Sequence, residues 1–396
     1  MKLIQLLRNS FFLLAANLLA GALNYLYQVK GAAALRAVDY GALSLWLAYV
    51  GLALAVGAAA QILSNFMPIA RSRIHLVGGG AVILGAATAG LLLLTSSTSS
   101  QWDAPSLSLG VITVVIGIFF NFLQGQLQSQ GLFAAMSIGL FAQAATRIAL
   151  ISGTTQANRY ALATTVSLAI GVALGGAALL IAHFKQGWQV AQSHLQNRKI
   201  LSEIAGALIL AVSIALIPQM DLLNLRWARS PEELGQFARA ALFAKAVFFA
   251  ALTLLQVTLP FHIRQLRGGI TAQEFASVQK LERLGLAACY LGSIALYWLG
   301  PWLTRRLLGF ELAREQRFWV PLSCLAMTAL YGHLQKIQLR CAEGRWNLAA
   351  FRLAALVLGM GIAALIQPST VTVYLCGALA YYFTTGLFRG RKMVNE

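Results

Sequence analysis

Hydrophobic positions along this chain neither alternate nor trace one amphipathic stripe; they gather into runs of about 20 residues divided by short polar segments. A helix of that length crosses a hydrocarbon core of about 30 Å. Only a helix lets such a run satisfy its own backbone N–H and C=O groups there. Twelve spans are predicted, near 11–29, 42–64, 76–95, 107–127, 131–152, 160–183, 201–223, 238–259, 284–304, 320–340, 348–367 and 371–388. Residues 1–10, with Lys2 and Arg8, have the form of a short basic leader. The apolar run behind them is too long for a cleavable signal and no small-residue cleavage site follows, so it is expected to stay as the first span. The expected fold class is an all-α polytopic membrane protein of about twelve transmembrane helices in two six-helix lobes, 1–190 and 191–396.

Composition narrows the class further. Of 396 residues, 59% are hydrophobic and 11% charged, with 35 glycines and a mean hydropathy of +0.71. A soluble domain of this size needs more polar surface, and glycine in this number suits helices packed closely in lipid. Lys and Arg fall mainly on one side of the predicted spans. With the N-terminus inside, 17 lie in cytoplasmic segments, 9 lie opposite, and Arg147, Arg239, Lys245 and Arg352 lie within spans. That bias predicts cytoplasmic termini, although Arg305, Arg306, Arg314 and Arg317 run against it. The net charge of +18 then reflects this bias and attraction to anionic lipid, and no nucleic-acid partner is expected. No connection is long enough for a folded extramembrane domain. Cys289, Cys324, Cys341 and Cys376 are dispersed and read as small buried hydrophobes. The chain has no GxSxG, HExxH or Walker A pattern, so no enzyme activity, cofactor or metal is expected. His75, His183, His194, His262 and His333 stand alone at or near span ends, where a solvated or interfacial role is expected.

The halves resemble each other. The first span leaves through Tyr27 and the second opens at Asp39-Tyr40-Gly41; the seventh leaves through Asp221 and the eighth opens at Glu233-Leu234-Gly235. Tyr27 to Gly41 and Asp221 to Gly235 are both 14 residues. Each following span is expected to end at a proline with basic residues behind it: Pro68 with Arg71 and Arg73, and Pro260 with Arg264 and Arg267. Six spans per half makes the halves run the same way through the membrane, an arrangement found in alternating-access carriers. Chance similarity between two apolar hairpins is the other reading.

An ionisable group in hydrocarbon costs about 2.5–3.5 kcal/mol, so each needs a reason. Lys245, the deepest, is expected either to face an anion in a water-filled cavity or to snorkel or pair with Asp221. Arg147 shares a face with Gln143, four residues earlier. Arg239 and Arg352 sit near span ends, as anchors would. Asp221, the single acid placed within a span, either pairs Lys245 or Arg239, binds a coupling cation, or meets water at a helix end. Asn17, Asn24 and Gln28 form one polar stripe on the first span, and Asn121, Gln124 and Gln128 another on the fourth. Such stripes line a wet cavity or hold helices together. Ser230-Pro231-Glu232-Glu233 predicts a capped helix start ahead of the eighth apolar run.

The string from Asp221 through Ser230-Pro231-Glu232-Glu233, Gly235, Phe237 and Lys245 to Pro260 resembles the second-half opening of Wzx-type polysaccharide flippases. Asn17, Tyr25, Leu35, Tyr40 and Gly41 match the first half more loosely. These flippases belong to the multidrug/oligosaccharidyl-lipid/polysaccharide (MOP) exporter superfamily. The resemblance implies a two-lobed carrier in a bacterial inner membrane that moves a polyprenyl-pyrophosphate-linked oligosaccharide outward. Lys245, Arg147 and Arg239 would then meet the pyrophosphate, and H⁺ or Na⁺ coupling and glycan-assembly proteins are possible partners. Two alternatives remain: a drug or small-solute antiporter of the same superfamily, and a polytopic glycan polymerase or ligase. An antiporter for organic cations favours acidic residues, against four basic groups and one acid placed within these spans.

Overall fold

The computed structural model describes residues 2–66, 90, 104–130, 132–186, 197–228, 230–266, 270–312, 316–342, 351–355 and 357–359. Regular structure among them is helical throughout. The helices are α1 (Lys2–Ala34), α2 (Ala37–Phe66), α3 (Ala104–Ser129), α4 (Phe133–Leu150), α5 (Ala157–Gln186), α6 (Asn197–Leu216), α7 (Met220–Ala228), α8 (Pro231–Leu266), α9 (Ala272–Leu303) and α10 (Gln316–Ala342). Six stretches among the described residues are long and apolar enough to cross a membrane. The spans expected near 371–388 and, apart from residue 90, near 76–95, and most of that near 348–367, lie outside the described residues.

Local chemistry sets where the helices start. Ser230 accepts from the Glu233 amide at 3.3 Å and Glu233 takes the Ser230 N–H at 3.1 Å, the reciprocal cap expected for α8. Thr271 and Glu274 build the same box at the head of α9, so that helix begins well before the apolar run near 284. The apolar span of α8 stops ahead of Pro260, at Leu255, while the helix itself continues to Leu266. In the seventh span, Pro218 lies in a 3₁₀ turn, Ile217–Gln219, between α6 and α7. A proline nitrogen cannot donate to the helical ladder, which suits such a turn. At the far end of α9, a π turn over Thr304–Leu308 closes on Gly309 at φ 68°, left-handed backbone that favours glycine.

The chain forms two compact units, Met1–Ala215 and Leu216–Glu396. Helix α6 falls in the first up to Ala215. In the first unit α2 packs on α3, α1 on α4, and both α3 and α4 on α5. Trp46, Val50, Ala53, Val114, Ile118 and Ala161 fill one core cluster. Gly57 lets α2 approach α3 backbone to backbone: a Cβ there would stand 2.9 Å from the Ile118 Cα. In the second unit α8 and α9 both pack on α10 and touch each other. The outer side of α9 carries exposed Leu291, Trp298 and Trp302, a surface suited to lipid rather than water.

Candidate functional site

Three polar clusters interrupt the apolar interior. In the first unit α1 offers Asn24 and Tyr27, α4 offers Arg147, and α5 offers Tyr160, Thr164 and Ser167. Residues three, four or seven apart share a helix face, so each set points one way. Arg147 donates to Asn24 Oδ1 at 2.9 Å and to Ser167 Oγ at 3.3 Å. Its guanidinium carbon lies 5.4 Å from the centre of the Tyr27 ring, close enough for cation–π attraction. Tyr27 is itself pinned, donating to the Tyr160 carbonyl at 2.8 Å. Ser167 is held in turn by donating to the Thr164 carbonyl at 2.8 Å. No carboxylate among the described residues touches Arg147, so neutral groups solvate its charge without cancelling it.

The second cluster holds Lys245, buried on α8 at 8% exposure. Its Nζ donates to Gln219 Oε1 at 2.9 Å, in the 3₁₀ turn between α6 and α7. Arg239, two turns earlier on α8, faces the Phe310 ring at 5.8 Å. Asp221 lies in the first turn of α7, but its side chain lies outside the described residues, as does that of Asn17. Arg352, expected as an interfacial anchor, is 8% exposed and therefore buried.

The neutral stripes disperse over several neighbours. Asn121 donates to the Leu54 carbonyl of α2 at 3.4 Å, and Gln61 of α2 reaches Gln128 at 3.5 Å. Gln124 is buried at 2% exposure, its amide against Gly139 of α4. Gln143 is buried on α4, while Gln28 is partly exposed on α1.

A third cluster lies outside every expectation drawn from the sequence. Glu282 on α9 is buried and meets His262 of α8 at 2.8 Å. It also accepts from Tyr331 at 2.8 Å and Gln335 at 2.9 Å, both on α10. This corrects two readings: His262 is buried rather than solvated, and Asp221 is not the single acid within a candidate span, since Ala272–Leu308 contains Glu282. Glu282 lies just ahead of its apolar run, between Lys280 and Arg283, and so resembles a loop residue. The Thr271/Glu274 box was the signal that puts it three turns inside a helix. No group of three metal-binding side chains occurs among the described residues.

No protein-family model matches this chain, and no curated protein matches it. Solved structures do. A mutant of the Vibrio cholerae MATE transporter VcmN aligns over 98% of this chain and 97% of its own, with TM-score 0.59 and 15% identity. The eukaryotic MATE transporter AtDTX14 aligns over 99% and 96%, with TM-score 0.63 and 13% identity. An outward-facing multidrug resistance MATE family transporter of the MOP superfamily aligns over 97% and 95%, with TM-score 0.59 and 12% identity. The chain is thus an all-α multi-pass membrane protein with the MATE transporter fold, the two-lobed class of about twelve transmembrane helices. At these identities the likeness is one of fold.

Proposed function

We propose that this chain is a MOP-type transporter that moves a polyprenyl-pyrophosphate-linked oligosaccharide from the inner to the outer leaflet of a bacterial inner membrane by alternating access, with both termini in the cytoplasm. Arg147 carries the reading. A charge removed from water and left without a counter-charge is costly, and an arriving anion relieves that cost. The planar guanidinium fork fits phosphate oxygens in pairs. Lys245 and Arg239 on α8 are further cations within the helices, and their number suits an anionic cargo. A head group of charge about −2 moving outward also runs down an inside-negative potential, worth about 2.3 kcal/mol per charge per 100 mV. The sugar would be met by neutral amides such as Asn24, and glycan-assembly proteins are the expected functional neighbours.

One observation favours a second reading, a small-solute antiporter: the matched fold includes transporters described as multidrug resistance proteins. Replacement of Arg147 by Ala separates the two. In the host bacterium, with protein amount in the membrane checked, Arg147→Ala should cut surface glycan at least about tenfold and let the lipid-linked precursor accumulate. Arg147→Lys should keep part of the export, since the charge survives while the fork is lost. Normal glycan export by Arg147→Ala would remove the flippase reading. A loss of tolerance to organic cations with glycan unchanged would establish the antiporter instead.

A further inference from the structure

Arg305, Arg306, Arg314 and Arg317 run against the basic bias of the other connections, and neither reading of the cargo gives them a task. Arginines on the disfavoured side work against membrane insertion, so a contact made there has to compensate. Helix α9 sets the depth of the first two. Arg305 follows Arg283 by 22 residues with no charged side chain between them. That length rises about 33 Å, close to the thickness of the hydrocarbon. With Arg283 among the headgroups of one leaflet, Arg305 and Arg306 stand among those of the other.

The π turn fixes how they are presented. Thr304 donates back to the Gly300 and Pro301 carbonyls at 3.0 and 3.1 Å, and Thr304 and Leu308 are buried. Arg305, Arg306 and Leu307 between them are exposed. Leu291, Trp298 and Arg305 recur every seven residues with Trp302 between, so they share one side of α9. Leu291, Trp298 and Trp302 are 67%, 69% and 60% exposed. That side thus passes from aliphatic to aromatic to cationic toward its end, the order in which a phospholipid presents acyl chain, headgroup boundary and phosphate. The head of α10 closes on the same end: Phe318 lies 5.3 Å from the Tyr297 ring, which meets Trp298 edge-on. Arg317 beside Phe318 is exposed too. One acid stands near. Glu311 Oε1 lies 3.7 Å from Arg305 Nη1, both groups largely exposed, too far for a hydrogen bond. No carboxylate among the described residues pairs with Arg306 or Arg317; Glu315 lies outside them.

We propose that the end of α9 is a binding site for an anionic phospholipid, its phosphate on Arg305 and Arg306 and an acyl chain along Trp298, Trp302 and Leu291. The site rests on the membrane fold and holds for either cargo. Adjacent guanidinium forks match phosphate oxygens. A zwitterionic headgroup would carry its own ammonium into this basic end, where Arg305, Arg306 and Arg317 outnumber Glu311, and so binds less well. The surface lies on the outside of α9, the least buried of the candidate spans, where bilayer lipid and not a cargo inside the bundle is the neighbour.

Tryptophan fluorescence tests this on the full-length protein in nanodiscs of equal parts phosphatidylglycerol and phosphatidylethanolamine. Bromine on the acyl chains of one lipid or the other quenches the indoles it touches. Subtracting the signal of Trp298→Phe/Trp302→Phe isolates the two indoles of the site. There the wild type should favour phosphatidylglycerol by about fivefold or more, and Arg305→Gln/Arg306→Gln should bring the two lipids close to equal. Equal quenching in the wild type overturns the proposal, as does a preference that the double variant keeps. Should that variant fail to insert, Arg306→Gln alone is read, and an unchanged preference overturns it. Lys280→Gln/Arg283→Gln, at the other end of α9, should leave the preference intact. Its loss there too would trace the effect to overall charge and overturn a discrete site. Displacement of the brominated phosphatidylglycerol by a minor fraction of polyprenyl pyrophosphate would overturn the phospholipid assignment and give the site to the cargo.

Discussion

Arg147 and Glu282 are each held by three side chains from two neighbouring helices, and the comparison between them is instructive. Around Arg147 stand Asn24 and Tyr27 of α1 and Ser167 of α5. Around Glu282 stand His262 of α8 and Tyr331 and Gln335 of α10. The first set does not change protonation near neutral pH, and neither does a guanidinium. The second contains a histidine, the side chain whose charge changes most readily there. One unit therefore presents a positive charge among neutral groups, and the other a carboxylate held by three donors. Neutral company leaves a cation available to an arriving anion; a ring of donors keeps a carboxylate's charge satisfied where it is.

The hardest test of this contrast is charge reversal at Arg147. Arg147→Glu should abolish glycan export, by about 100-fold or more, because a carboxylate among the same neutral groups repels a phosphate. Retained export by Arg147→Glu at wild-type amounts of protein in the membrane would mean that the charge at position 147 does not meet the substrate, and the contrast would be false. Tyr331→Phe should have a smaller effect. Loss of one donor to the charged form raises the carboxyl midpoint by about one pH unit and costs about 1–2 kcal/mol of stability in thermal unfolding. Export at neutral pH should fall only a few-fold. The smallest effect is expected for Tyr27→Phe, which keeps the ring under Arg147 and removes the bond to the Tyr160 carbonyl. It should cost about 1 kcal/mol of stability and leave export near wild type. Export loss as large as that of Arg147→Ala would show that the hydroxyl, and not the ring, positions the cation.

Much of the fold is legible in the sequence because lipid imposes a length. A run of about 20 apolar residues matches the thickness of hydrocarbon and exceeds what most buried core helices need, and the reciprocal Ser230/Glu233 cap was readable from four residues. Hydropathy marks the hydrocarbon, though, and not the ends of helices. For that reason α2 starts at Ala37 and not near 42, and α9 starts at Ala272 and not near 284. Pro260 marks the end of an apolar span and not of a helix for a related reason: a proline removes one backbone donor, but neighbours in a packed bundle can carry the helix past it. The candidate groups were legible singly and not as pairs. Asn24 and Arg147 each stand out as polar within apolar runs, yet nothing in a linear chain says that residues 123 positions apart share a hydrogen bond. Glu282 was harder still, since its three partners lie 20, 49 and 53 positions away.

Helix α8 has a mechanical consequence. It runs 36 residues, about 54 Å at the usual rise, and so is nearly twice as long as the hydrocarbon is thick. Lys245 and His262 ride on this single rod about 26 Å apart. Pro260 sits between them, two residues before His262, where its nitrogen has no proton to close the ladder and bending is easiest. The stiff length therefore belongs to the Lys245 end, and a flex at the proline lets the imidazole end tilt without carrying the lysine with it.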